Sequence, residues 1–329
     1  MMPDDQSALA ERSRRAGRGR SAASPMRIPS YGWKAIAWRA FAEMNNRNLF
    51  LVAGGVSYYV LLALFPGLVA LVSIYGLVSD PAQVEKQVDA MSGMLPESAR
   101  ELVASELHSI VTASGRALSF GVVIGILFAI WSASRGMSGL MSALDISYGE
   151  TDSRSFLRFN LTALVLTLVL LIGGIVAVAL VALLPAVVTN SHSGILGWVL
   201  LIAEWPVLFL LVLTGFALLY RFAPDRHPPK WRWLTPGAAI AAFLWIVGSI
   251  LFSVYVSHFS NYNATYGSLG AVVVLLTWLY LSAFVVLLGA LINAEAERQT
   301  RHDANDKTPK PIGHRGAHAA DTVGPSAGR

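Results

Sequence analysis

A single carboxylate stands out among the residues of this chain that could do chemistry. Glu204 lies well inside an apolar run, where an ionisable side chain is costly and by default indicates a functional site. Pro206 follows and leaves a backbone carbonyl one turn earlier without its helical partner, which could form a polar notch. Glu204 could therefore couple a proton or cation, or contact a headgroup. Equally, it could sit about two turns from the outer end of the helix and reach water or a loop.

Polar side chains at two other places in the apolar runs form a second set of candidates. Ser57, Tyr58 and Tyr59 lie in the first run, and Asn293 and Glu295 lie at the end of the last one. Hydroxyl and amide groups in hydrocarbon seek hydrogen-bond partners. We expect these side chains to form hydrogen bonds between helices, and contact with a transported substrate is the alternative.

Two further stretches could shape a site through their backbone. Pro66 and Gly67, in the middle of the first run, predict a static kink, with a hinge as the alternative. The stretch Tyr266, Gly267 and Ser268 is predicted to begin the last helix, where free backbone N–H groups could meet a phosphate headgroup.

The histidines and the absence of cysteine argue against an enzyme. RNA cleavage needs metal-binding carboxylates or a pair of histidines at one accessible site. His192 and His258 are predicted outside, while His302, His314 and His318 fall in a polar tail. The chain has no cysteine, hence no thiolate metal site, and no phosphate-binding loop, nucleophile elbow or zinc-protease motif. We predict no enzyme activity, catalytic residue, metal or cofactor.

The composition is that of a membrane protein with several spans. Hydrophobic residues make up 54% of the chain, charged residues 14%, and the mean hydropathy is +0.54. The net charge of +5 invites a nucleic-acid function, but the basic residues sit in tails and short loops, as membrane topology requires. We therefore expect membrane lipids as partners and no nucleic acid. The first 30 residues lack the apolar core of a cleavable signal peptide.

Six apolar runs predict an all-α bundle within a membrane domain of residues 30–298. The predicted spans are 48–79, 118–133, 159–188, 195–220, 236–257 and 266–293. Apart from Lys86, Arg100 and Arg116, every Lys and Arg falls in segments that the alternation of spans puts on one side. Because Lys and Arg favour the cytoplasmic side, both termini are predicted to be cytoplasmic.

The segments around the spans carry their own predictions. The first run could be two half-helices in a re-entrant hairpin, but the charges on its flanks favour one kinked crossing. Residues 31–47 predict an amphipathic helix, lying in the inner interface or packed under the bundle. Amphipathic helices are also expected over 80–116 and 134–149, close helix contact at Gly173 and Gly174, and disordered tails over 1–29 and 299–329.

Several motifs resemble the YihY/BrkB membrane proteins of bacteria over roughly residues 31–298. The resemblance implies a six-helix inner-membrane protein linked to envelope integrity and, in one pathogen, to serum resistance. Asp145 stands where such proteins commonly have Asn. Family members have also been labelled ribonuclease BN, a label that the residues of this chain do not support. The motifs are Gly54–Tyr59 with Phe65-Pro66, Trp131–Met137, Ala143–Gly149, Tyr220–Pro224, Thr265–Gly270, Trp278–Tyr280 and Gly289–Glu295.

Two functional hypotheses from different classes follow. The first is a transporter or lipid translocator, which predicts a polar cavity between helices that reaches the bilayer midplane. The second is a structural or accessory protein of the envelope, which predicts a closed, apolar bundle and a partner, either another envelope protein or a second copy of the chain. The sequence shows no clear inverted repeat of the kind found in many transporters.

Overall fold

The computed structural model describes residues 19–78, 115–190, 194–258, 268–305 and 310–325. Within these residues the regular secondary structure is helical, and the single backbone pairing of β type joins Pro229 to Asn305. The predicted all-α class is confirmed. The amphipathic helices expected over 80–116 fall almost entirely outside the described residues.

Seven long α-helices and one short one follow in order within the described residues. The first long helix precedes the predicted spans, and each of the next six covers one of them. The helices are α1 (Ser30–Asn46), α2 (Leu49–Val78), α3 (Gly115–Tyr148), α4 (Phe156–Asn190), α5 (Gly194–Phe222), α6 (Trp231–His258), α7 (Ser268–Glu297) and the short α8 (His318–Asp321).

Two boundaries differ from the sequence-based expectation in an informative way. α2 continues through Pro66 as one helix, so the first run is not a pair of half-helices. α3 is also continuous, whereas the sequence predicted a span over 118–133 followed by a separate helix over 134–149. No proline interrupts residues 115–148, and Gly136 packs against Val60 and Ala63 of α2, so neighbouring packing carries the helix through the predicted break.

Within the part of the chain that the structure describes, four helices are long and apolar enough to cross a membrane by themselves. They are Phe156–Ala177, Ile202–Phe222, Trp231–Ser257 and Gly270–Glu297. A fifth is reached if α1 and the first part of α2, which meet at an angle of 66°, count as one broken span. Many apolar side chains on these helices point outwards, including Ile172, Ile202 and Leu251, as expected of helices that face lipid. Six spans and cytoplasmic termini stay predictions.

The six helices α2 to α7 form a closed ring in which each packs on the next. α7 completes the ring by packing on α2, and it also contacts α1 and α3. The core contains Tyr220 of α5 and Leu287 and Leu291 of α7, all fully buried. α7 is therefore the helix against which the other elements assemble.

α1 packs under the bundle with one face and leaves the other open. Ile36, Arg39 and Ala40 are buried, and the helix contacts α7. Trp38 and Phe41 on the other side are 58% and 68% exposed. The packing expected in one of the two sequence alternatives is present. The exposed aromatic face is the one that would lie in the membrane interface, and this contact stays a prediction.

The described residues of the segments 19–29 and 299–325, which the sequence predicts to be disordered, contact each other and the bundle in the structure, and their disorder stays a prediction. The Thr300 hydroxyl donates to the carbonyl of Ala22 at 2.7 Å, and Arg20 donates to the carbonyl of Gly324 at 2.5 Å. Arg315 is buried and donates to the carbonyls of Lys310, Ala320 and Arg301. A composition rich in Arg, Gly and Pro is typical of disorder, but a guanidinium has five donors and can satisfy several carbonyls of an irregular segment at once.

Candidate functional site

Glu204 lies apart from the other polar candidates. Its side chain is half-buried on α5, between the exposed residues Ile202 and Trp205. No described residue forms a hydrogen bond or an ion pair with its carboxylate. α5 packs on α4 and α6, whereas Ser57, Tyr58 and Tyr59 belong to α2. The structure therefore does not bring Glu204 together with these hydroxyl groups.

The three polar residues of α2 divide between the interior and the surface. Ser57 is buried, but its hydroxyl donates to the Gly54 carbonyl of its own helix at 2.8 Å and not to a neighbouring helix. Tyr58 and Tyr59 are both about half exposed, and their ring centroids are 6.0 Å apart in an edge-on contact. The Tyr59 ring lies against Gly139 of α3, where a Cβ atom would come within 3.2 Å of it.

Asn293 lies in a tight contact between α6 and α7, which we call the seam. It is fully buried, its Oδ1 accepts the Gly237 N–H at 2.7 Å, and its Nδ2 donates to the Leu234 carbonyl at 3.1 Å. Pro236 has no N–H to donate, and the amide of Asn293 supplies polar partners to the α6 backbone beside it. Asn293 thus holds two helices together and faces no open cavity.

Two glycines permit the seam to close. A Cβ atom on Gly237 would overlap the Gly289 carbonyl oxygen and lie 2.5 Å from the Asn293 side chain. A Cβ atom on Gly289 would overlap the Tyr220 hydroxyl and lie 2.7 Å from Ala241. The Tyr220 hydroxyl instead donates to the Val286 carbonyl at 2.8 Å. Small residues let helix backbones approach closely in membrane proteins, and this contact depends on that.

Below the seam, charged side chains at the end of the bundle that carries both tails form what we call the basal layer: Arg39, Asp145, Arg154, Arg226, Glu295 and Glu297. The Arg39 guanidinium contacts the Glu295 carboxylate at 2.6 Å and the Gln299 side chain at 2.8 Å. Arg226 contacts Glu297 at 2.5 Å, and both side chains are fully buried. A buried charge requires a partner because removal of its hydration is costly. The Glu295 position singled out in the sequence is thus a structural ion-pair partner of α1.

Asp145 joins α3 to the segments that flank α4 and α5. It accepts the Asp225 backbone N–H at 2.7 Å and lies 3.2 Å from the Arg154 guanidinium. Burial raises the pKa of Asp145 from 3.8 to about 6, although the Asp225 N–H and the Arg154 charge act in the opposite direction. The free energy that the charged Asp145 carboxylate loses with its hydration on folding is therefore larger than the free energy that its partners supply. An Asn at this position would keep the acceptor without that cost.

An open groove runs between α2, α3 and α4, and no residue of the seam lines it. Its volume is about 460 Å³. Gly55 leaves open space in the α2 wall of the groove, and Val52, Val56, Ile146 and Phe159 make the groove largely apolar. The polar residues that line it are Tyr59, Arg135, Ser138 and Ser142. The groove therefore combines an apolar surface with one cation and three hydroxyls.

Arg135 lies in the middle part of the continuous helix α3, whereas the sequence predicted a separate helix after a span that ends at residue 133. It precedes Asp145 of the basal layer by ten residues of the same helix, which is about 15 Å along the axis. The sequence counts Arg135 among the basic residues of the inner side, and this stays a prediction. The absence of a helix breaker between 118 and 148 was the signal that could have revealed the continuous helix.

The Arg135 guanidinium turns away from the basal layer. Its Cζ atom is 4.9 Å from the ring centroid of Trp131, one turn earlier in α3. Side chains of a helix lean towards its N-terminus, so the charge lies still further from the basal end than its backbone does. No carboxylate of the described residues is within ion-pair distance of it. An exposed guanidinium without a carboxylate partner among the described residues is a candidate for function.

Comparisons with known proteins place the chain among bacterial membrane proteins. The family model described as Virulence factor BrkB matches residues 40–312. YfkH of Bacillus subtilis, whose name calls it ribonuclease-like, is 35% identical over 247 residues, which cover 73% of this chain and 86% of YfkH. A UPF0761 membrane protein of Idiomarina loihiensis is 31% identical over 281 residues, with 80% of this chain and 95% of that protein covered. No solved structure matches the chain.

Proposed function

The chain belongs to the Virulence factor BrkB family, and from that premise we propose that it is a lipid translocator of the bacterial inner membrane that serves envelope integrity. The observation that carries the proposal is the groove of α2, α3 and α4, with Arg135 exposed in it about 15 Å from the basal layer. Both termini would be cytoplasmic, as the distribution of Lys and Arg predicts.

The surroundings of the groove suit an amphipathic cargo. A lipid that crosses the membrane must take its polar headgroup through hydrocarbon, where unpaired polar groups are costly. The hydroxyls and the guanidinium offer that headgroup partners along α3. The groove opens between helices that face lipid, so acyl chains could stay in the bilayer while the headgroup moves. Gly55 leaves the space through which the headgroup would pass.

The alternative is a structural or accessory protein of the envelope, and the rest of the bundle favours it. The seam is closed, and the charges of the basal layer pair with one another. Such a protein would act through a partner, which would be another envelope protein or a second copy of the chain. Glu204 adds no support to the translocator, because it lies on α5 outside the groove.

The test is movement of fluorescent phospholipid between leaflets of liposomes that contain the purified protein. We expect the wild type to move lipid faster than empty liposomes. Gly55→Leu, which fills the groove, should abolish most of this movement. Gly174→Leu is the matched control, because Gly174 is an exposed glycine of α4 with open space around it, and it should behave as the wild type.

Two results would change the assignment. Movement no faster than in empty liposomes would contradict translocation and favour the accessory role. Wild-type activity of Gly55→Leu together with a loss in Glu204→Leu would move the path from the groove to α5.

A further inference from the structure

We propose that the groove binds the phosphate of phospholipids with net negative charge, and that Arg135 is the residue that selects them. The inference rests on the proposed function, since it names the class of lipid that the groove takes. It would give the protein a preference for acidic over zwitterionic phospholipids.

The first argument is the charge balance of the groove. Arg135 is its single cation, and the other polar residues among the described lining, Tyr59, Ser138 and Ser142, are neutral. A phosphate beside Arg135 gains a charge partner. The lining offers no carboxylate to the ammonium group of a zwitterionic headgroup. That ammonium group therefore forms no ion pair with the groove. The groove therefore favours a headgroup in which the phosphate charge is not balanced.

The second argument is the orientation of the guanidinium. One face of it lies over Trp131 at 4.9 Å from the ring centroid, a cation–π contact that holds the group in place. Such stacking uses the face and leaves the N–H groups at the edge for another partner. A planar guanidinium presents these donors in the geometry that matches two phosphate oxygens. Its position is therefore set for phosphate before any lipid arrives.

The third argument is the stripe of residues along α3. Arg135, Ser138, Ser142 and Ile146 follow at spacings of three and four and line the same groove, as residues on one helix face do. The hydroxyl of Ser138 donates to the Ser134 carbonyl at 2.9 Å, whereas Ser142 is exposed. The hydroxyls of Ser142 and Tyr59 can donate to a headgroup on its way between the basal end and Arg135. The groove thus has polar partners below the cation, then the cation itself.

The fourth argument is the size of the groove. Its volume of about 460 Å³ falls within the range of about 300–1,000 Å³ that is usual for small-molecule sites. This is room for a headgroup and its glycerol. The acyl chains would remain against the exposed apolar surfaces of α2 and α4.

The experiment is a binding measurement that does not depend on transport. The full chain is placed in nanodiscs, and the bound fraction of spin-labelled phosphatidylglycerol is compared with that of spin-labelled phosphatidylcholine. We expect the wild type to prefer the acidic lipid by about tenfold, equivalent to about 1.4 kcal/mol. Arg135→Gln should remove the preference, and Arg135→Lys should keep part of it because a cation without the planar fork remains.

The matched control is Arg158→Gln, because Arg158 is an exposed cation near the start of α4 outside the groove, and it should keep the wild-type preference. Free glycerophosphate is added as a competitor. If glycerophosphate displaces the lipid only at concentrations high enough to screen charge, the result supports a lipid site. If glycerophosphate displaces the lipid at low concentration, the groove is a site for the free anion and the proposal is overturned.

An equal preference in the wild type and in Arg135→Gln would also overturn it. If thermal melting shows that Arg135→Gln does not fold, the headgroup preference of the wild type is the deciding measurement. Equal binding of the two lipids by the wild type would then overturn the inference. Selective binding without lipid movement would contradict the proposed function alone. Lipid movement without selectivity would contradict this inference alone.

Discussion

Glycine residues have opposite effects at the seam and in the groove. At the seam, the space that Gly237 and Gly289 leave is filled by the opposing backbone, by Asn293 and by Tyr220. In the groove, a Cβ atom on Gly55 would meet nothing within 4 Å, whereas the ring of Tyr59 lies over Gly139. A glycine in a membrane helix can therefore mark the tightest or the most open part of a bundle. What decides is the residue on the facing helix.

The largest effect is expected at the seam. Gly237→Ala places a Cβ atom against the Gly289 carbonyl and the Asn293 amide, and backbone atoms cannot move aside. We expect the free energy of unfolding to fall by about 3 kcal/mol or more, at the upper end of overpacking effects. Thermal melting and SDS-induced unfolding measure it. Gly174→Ala, with open space around it, should gain up to about 1 kcal/mol from helix propensity, and equal losses in both variants would contradict the tight seam.

The next effect tests the polar part of the seam. Asn293→Leu removes the two hydrogen bonds that the Asn293 amide makes to the Gly237 N–H and the Leu234 carbonyl. We expect a loss of about 1–3 kcal/mol in stability, since each hydrogen bond contributes about 0.5–1.5 kcal/mol. Asn160→Leu serves as control, because the Asn160 side chain bonds only the Phe156 carbonyl of its own helix at the surface. Full stability of Asn293→Leu would show that the seam is held by apolar contact alone.

A smaller effect concerns Asp145, below both regions. Because its pKa is raised from 3.8 to about 6, the folded state holds this proton more tightly than the unfolded state. Its contribution to stability is full below about pH 4 and is lost as the pH rises through about 6. Asp145→Asn should flatten this part of the stability curve and be at least as stable as the wild type at neutral pH. Chemical unfolding between pH 4 and 8 measures this, and parallel curves for the two proteins would contradict it.

The smallest effect is expected in the groove. Gly55→Ala adds a methyl group to open space, so the unfolding free energy should stay the same or rise by up to about 1 kcal/mol. The same melting experiment as for Gly237→Ala measures it. A loss comparable to that of Gly237→Ala would mean that the groove is closed in the membrane, and the two regions would then be alike.

Much of the fold follows from the sequence, because long apolar runs have few alternatives in a membrane. Each of the six apolar runs lies in a helix that begins and ends within a few residues of it, apart from the longer α3. The continuity of α3 was missed because a hydropathy pattern ends a span at the first charge, whereas in the structure α2 and α7 pack on the longer helix. Gly173 and Gly174 were expected at a close contact, yet a Cβ atom on either would meet nothing within 4 Å.

The candidate site was less predictable than the helices. Tyr59 was named from the sequence and lines the groove, while Asn293 and Glu295 belong to the seam and the basal layer. Whether a polar residue faces the groove, the seam or the basal layer depends on how its helix is rotated relative to the neighbouring helix. A sequence pattern shows which residues share a face of one helix, but it does not show which helix packs on that face. Glu204 was chosen for its charge in an apolar run, and the structure separates it from the groove.

The basal contacts between the two ends of the chain fix an order of assembly. Arg20 bonds the Gly324 carbonyl across 304 positions, and Arg39 bonds the Pro325 carbonyl across 286. During synthesis the N-terminal segment is made first and its partners last. Arg20 and Arg39 therefore stay without these partners until α7 and residues 298–325 have been made. The contacts between the two ends therefore form only after the whole bundle has been made. A chain that is cut short before α7 cannot form them.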